Sequence, residues 1–122
     1  MRGRVKICTD FCKEIQKELD KESDYENFIV VCMPYILSHT AKTELRCPPN
    51  KRIVFTKEIS KGYNRQNTYI FVICIDNRKL KEDFIQWLFS GQHGFLITLL
   101  EPPKKDTLLF DFMLVYYPEE FI

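Results

Sequence analysis

The stretch Thr107-Leu-Leu-Phe-Asp-Phe-Met-Leu-Val-Tyr-Tyr117 decides how the fold is read. Ten of its eleven residues are apolar, aromatic or β-branched, and Asp111 is the one charge. Such a run favours a strand by composition. Read that way, Leu108, Phe110, Phe112, Leu114 and Tyr116 lie on one face, and Leu109, Met113, Val115 and Tyr117 on the other. A strand apolar on both faces needs two covers. The rest of the chain offers few helices to provide them, so the stretch predicts pairing with a second chain.

Working outward, Phe95 to Leu100 reads as another strand, with the breaker Glu101-Pro-Pro-Lys-Lys-Asp106 between the two. Before it, Asp76 or Asn77 caps a helix running to about Ser90, with Gly91 placed to end it. Its apolar set (Leu80, Phe84, Ile85, Trp87, Leu88, Phe89) is broad enough to be packed on two sides. Thr68 to Ile75, Arg52 to Ile59 and Phe28 to Met33 are β-branched apolar runs and predict three strands. Pro34 ends the last of these or sets it at an edge. Ser38 to Lys51, which contains Cys47-Pro-Pro-Asn50, reads as a loop with at most a turn of helix, and Ser60 to Asn67 as a long hairpin loop. At the start, Val5, Ile7, Cys8, Phe11, Cys12, Ile15 and Leu19 fall within an arc of roughly 160° at 100° per residue, which predicts one helix from Arg4 to Lys21. The competing reading is a short strand at Val5–Ile7 followed by a helix capped by Thr9 or Asp10. The expected fold is a single α+β domain over 1–122, in the order α-β-β-β-α-β-β, with a mixed sheet of about five strands and two principal helices.

Composition bounds the function. The chain has 122 residues, one domain's worth, and ten Phe, six Tyr and one Trp exclude a disordered chain. Runs such as Tyr69–Ile75 and Phe110–Tyr117 are too short to span a bilayer, so no membrane association is expected. The opening residues lack the apolar core of a secretory signal, which points to the cytoplasm or nucleus. The five cysteines fit reduced thiols, and Cys8, Cys12, Cys32 and Cys74 are expected to be buried and unpaired.

Patterns for catalysis are missing or broken. No Walker loop, dinucleotide fingerprint or serine-hydrolase G-x-S-x-G elbow occurs. Zinc through Cys8, Cys12, Cys47 and His39 lacks the usual knuckle spacing. A Cys47 nucleophile would need His39 or His93 beside it, and nothing local arranges that. Metal-dependent nuclease chemistry would use Glu58 and Asp76 with Lys57, Lys61 or Lys79, yet Glu58-Ile-Ser-Lys61 puts its acid and its lysine on opposite faces of a strand. No cofactor, no metal ligand and no catalytic residue is assigned, and an enzyme is less favoured than a binding module.

Charge is unevenly distributed. The net charge is +1, but residues 42–65 hold seven basic and two acidic side chains. Cations contact phosphates, and aromatics stack on unpaired bases. Arg52, Lys57, Lys61, Tyr63 and Arg65 are therefore the candidate nucleic-acid contacts. The plainer reading is a solvated hairpin whose charges pair with the acidic face of the first helix.

Residues 68–117 resemble the core of the tRNA-splicing endonuclease family. There a strand (TYIFVICIDNRKL) leads to a helix (KEDFIQWLFSGQHG) and then to two closing strands, the last rich in aromatics (FLITLLEPPKKDTLLFDFMLVYY). Active members use a Tyr, His and Lys trio, with the Lys shortly before the fourth strand. Gln92, His93 and Gly94 stand there in this chain. The resemblance therefore implies a non-catalytic subunit that pairs through its last strands. The leading expectation is association through the C-terminal strand, as a homodimer or with a protein partner, with Phe110, Phe112, Leu114 and Tyr116 at the interface. The alternative is a nucleic-acid-binding or RNA/DNA-processing protein using the basic segment.

Overall fold

Five runs of β-branched and aromatic residues form one sheet in the computed structural model, which describes residues 3–21, 24–58, 67–90 and 94–121. The strands are β1 (Gly3–Ile7), β2 (Asn27–Met33), β3 (Arg52–Thr56), β4 (Thr68–Cys74) and β5 (Phe95–Leu99). They are joined in the order β1-β5-β4-β2-β3, and every pairing is parallel. The helices are α1 (Phe11–Lys21), α2 (Leu37–Glu44), α3 (Glu82–Ser90) and α4 (Leu108–Tyr116).

The sheet is buried on both sides, which is why β4 is apolar without alternation and all seven of its residues are buried. One face carries Val5, Ile29, Val31, Ile70, Val72, Phe95 and Ile97 against Ile85 and Leu88 of α3 and Leu109 and Met113 of α4. The other carries Phe28, Val30, Tyr69, Phe71 and Ile73 against Cys12, Ile15 and Leu19 of α1 and Ala41 of α2. The chain leaves β2 for β3 through α2 on one face. It leaves β4 in the opposite direction, to β5, through α3 on the other face. The reversal lies between the carboxyl ends of β2 and β4, the place where open α/β sheets present their crevice.

Several expectations are corrected. The mixed α/β character and the number of strands hold, with β1 standing in place of the strand expected at Thr107–Tyr117, but the sheet is wholly parallel, strands and helices largely alternate, and the described residues form four α-helices rather than two. The single helix over Arg4–Lys21 is instead β1 followed by α1. Val5 is buried while Arg4 is exposed, the period of a strand, and Asp10 Oδ1 accepts from the Lys13 N–H at 3.1 Å, opening the helix as an N-cap. Val5 and Ile7, which share a face of the strand, also fall inside the helical arc, which is why that arc looked complete. α2 was hidden because only Ser38 and Ala41 of its residues are buried, so it has almost no apolar stripe. The hairpin between β3 and β4 does not exist: both strands pair with β2, in parallel, on opposite sides of it. Pro34 follows a cis peptide bond and ends an interior strand, not an edge strand. The helix after β4 is split. Asp76 accepts from the Arg78 N–H to cap a 3₁₀ turn at Asn77–Lys79, and α3 begins only at Glu82. Gly91 and most of the loop Ser60–Asn67 lie outside the described residues.

The largest correction concerns Thr107–Tyr117. It is not a strand but α4. Thr107 accepts from the Phe110 N–H through its side chain, a helix N-cap that a strand would not need. At eleven residues the run also exceeds the usual length of a buried strand. The two closing strands implied by the endonuclease resemblance are thus one strand and one helix.

Candidate functional site

α4 is held at three points. Thr107 Oγ1 accepts from Asn77 Nδ2 at 3.1 Å, and Tyr117 donates its hydroxyl to the Gly3 carbonyl. Leu109 and Met113, four residues apart, enter the sheet core and are fully buried. Along its α3 side, Phe112 stacks on Phe89 at 4.7 Å and Tyr116 lies 6.0 Å from the same ring. That leaves the outward face. Val115 is 71% exposed, Tyr116 50% and Leu114 49%. Of the four predicted interface residues, Leu114 and Tyr116 stand on this surface. Phe110 and Phe112 are partly buried, and Phe112 is committed to Phe89. Val115, the most exposed, was missed, because reading the stretch as a strand placed it on the opposite face. Helical spacing would have grouped it with Leu114 and Asp111.

The second feature is a groove of about 830 Å³ on the α3 face of the sheet, beside edge strand β3. Its floor is Ile29 and Met33 of β2 with Val54 and Thr56 of β3, where Ile29 and Val54 are register partners. Phe84 and Trp87 of α3, stacked at 6.0 Å, form its wall. Around it stand Arg52, Lys57, Lys79 and Lys81, with Glu58 and Asp83 as its acids. Sequence reasoning found Arg52 and Lys57. It did not group Lys79, Lys81, Phe84 and Trp87 with them, because these are distant in sequence and join them only because β2, β3 and α3 line one groove.

The basic segment does not act as one patch. Lys51 donates to the Tyr25 carbonyl and lies over the Phe28 ring. Lys42 and Lys57 each lie over the Tyr35 ring, at 5.8 and 5.7 Å. Arg46 is tied to α1 by main-chain bonds with the Gln16 amide rather than by charge pairing. Lys61, Tyr63 and Arg65 lie outside the described residues.

The groups considered for catalysis are dispersed. Glu58 lines the groove, whereas Asp76 borders a separate small concavity and pairs with Arg78 at 3.0 Å. Hydrogen bonds from Arg78 hold the Asp76 carboxyl at a pKa of about 2. Among the described residues no group of three or more His, Cys, Asp or Glu side chains is placed to hold a metal ion. Burial pushes the Cys12 and Cys74 thiols up to about 12 and Cys32 to about 11, which keeps all three protonated and poorly nucleophilic at neutral pH. Cys8 is only partly buried and Cys47 is exposed, so the expectation of four buried thiols holds for three. No described helix is long and apolar enough to cross a membrane.

Fold and surfaces together define a doubly wound parallel α/β domain with an apolar helix face and a cation-rimmed groove. Comparison with known protein families, curated proteins and solved structures finds no match.

Proposed function

We propose that this protein is a non-catalytic binding and assembly module that associates with a second copy of itself through the outward face of α4. One observation carries the reading: α4 has a single charge, Asp111, yet its own domain covers only the sides bearing Leu109, Phe112 and Met113. A helix this apolar, with large side chains outside its core-facing stripe, is usually covered on more than one side. Leu114, Val115 and Tyr116 form a contiguous apolar surface with Asp111 as its one charge, the kind of patch that marks an interface. A two-fold pairing sets the same helix on both copies against itself, so a single face suffices. Covering these side chains contributes a few kcal/mol net of association costs, so a dissociation constant on the order of 100 μM is expected.

Proximity across the pair tests this. With Cys47→Ser to remove the exposed thiol, Val115→Cys should form a disulfide-linked dimer on mild oxidation. Lys13→Cys, on the exposed side of α1, serves as the reference. Cross-linking at 115 no faster than at 13 would contradict the reading.

A further inference from the structure

We infer that the groove between α3 and β3 binds single-stranded nucleic acid, with the backbone along its cations and the bases against its aromatic wall. The site is independent of α4. Its cations stand at both ends of β3. Arg52 is at the amino end, while Lys57, Lys79 and Lys81 are at the carboxyl end, near the reversal point of the sheet. Five strand residues at about 3.3 Å each separate these ends by roughly 17 Å. That span exceeds a mononucleotide and suits about three linked ones. A small anion would engage only the lysines at the carboxyl end and leave Arg52 and the length of the floor unused.

The floor and wall decide the class further. Val54 is 41% exposed although it lies mid-strand, so the floor is open to a ligand. The stacked Phe84 and Trp87 offer aromatic surface beside it, and base stacking on aromatic side chains is tolerant of sequence. A duplex keeps its bases paired inward and cannot use that wall. Arg52, Lys79 and Lys81, with Lys57 at the rim over Tyr35, outnumber Glu58 and Asp83 and leave an excess of positive charge, as a phosphate backbone requires.

The chain has one tryptophan, so intrinsic fluorescence reports the groove wall directly. Titration with a ten-nucleotide oligothymidylate at 50 mM salt should quench Trp87. Affinity should fall roughly thirtyfold between 50 and 200 mM salt, as neutralising three to four phosphates requires. Arg52→Glu and Lys81→Glu, both on exposed side chains, should each weaken binding about tenfold. Lys104→Glu, away from the groove, should not. A duplex of equal length should bind at least tenfold more weakly. Three results would overturn the proposal: no quenching at 50 mM salt, quenching that both charge reversals leave unchanged, or equal quenching by a polyglutamate peptide, which would make the groove a site for acidic protein segments.

Discussion

The Tyr117 hydroxyl donates to the main-chain carbonyl of Gly3, so the end of the last α-helix is fastened to the first strand across 114 positions of sequence. The alternation of a parallel ladder explains why that carbonyl is available. Cys8 donates to Leu99 on the β5 side, which turns the main-chain groups of Gly3, Val5 and Ile7 toward the open edge. Tyr117 thus occupies one position on an edge strand and anchors α4 over it. Burial pushes the phenol up to about 12, keeping it a donor throughout the neutral range. Tyr117→Phe keeps the ring and removes the bond, and should lower the unfolding free energy by about 1 kcal/mol in urea denaturation.

Gly3 also has no room for a side chain. A Cβ there would lie 2.0 Å from the Phe95 ring, which is fully buried and cannot retreat without disturbing the core. Gly3→Ala should therefore cost about 1–3 kcal/mol by overpacking, a loss that urea denaturation would show.

Ser38 is fully buried in α2 and its hydroxyl has no hydrogen-bond partner among the described residues. An unsatisfied buried hydroxyl costs more than it contributes. Ser38→Ala should leave stability unchanged or raise it by about 1 kcal/mol. A clear drop in the urea midpoint would show that the hydroxyl is satisfied after all.

Three thiols make stability pH-dependent on the alkaline side. Cys12, Cys32 and Cys74 ionise at about 12, 11 and 12 when folded, against 9.0 when exposed. Above pH 9 the unfolded chain has lost thiol protons that the folded chain still holds, so folding becomes less favourable as pH rises. Stability from this source is complete below pH 9 and falls from there toward 11–12. Cys32→Ala, which keeps a small apolar side chain, should flatten the decline in urea midpoint between pH 9 and 10.5. An unchanged slope would show that the thiol is not responsible.

How much of this was legible in the sequence depends on the element. Strands β2 and β4 read almost to the residue, because continuous β-branched runs such as Phe28–Met33 have few other uses. Parallel pairing was legible in principle, since seven buried residues in a row at β4 require cover on both faces. The alternation of helices that provides that cover was obscured by α2, whose short polar sequence gives no periodic signal. Leu108–Tyr116 failed for the opposite reason. It is apolar everywhere, so neither period stands out, and β-branched or aromatic composition does not outweigh the Thr107 cap and the packing of Leu109 and Met113. The residues expected at an interface, Leu114 and Tyr116, are surface residues despite that error, but the exposure of Val115 needed the helix to be seen. The groove was beyond reach, because Arg52 and Lys81 come to line one groove only through the strand order.

Sedimentation velocity over a concentration series up to about 1 mM tests the central claim most directly. The wild type should shift from monomer toward dimer near its expected dissociation constant, on the order of 100 μM. The double variant Leu114→Glu, Val115→Glu should remain a folded monomer throughout, because both side chains are exposed on α4. A wild type that stays monomeric across the range, or a double variant that dimerises equally well, would contradict association through α4.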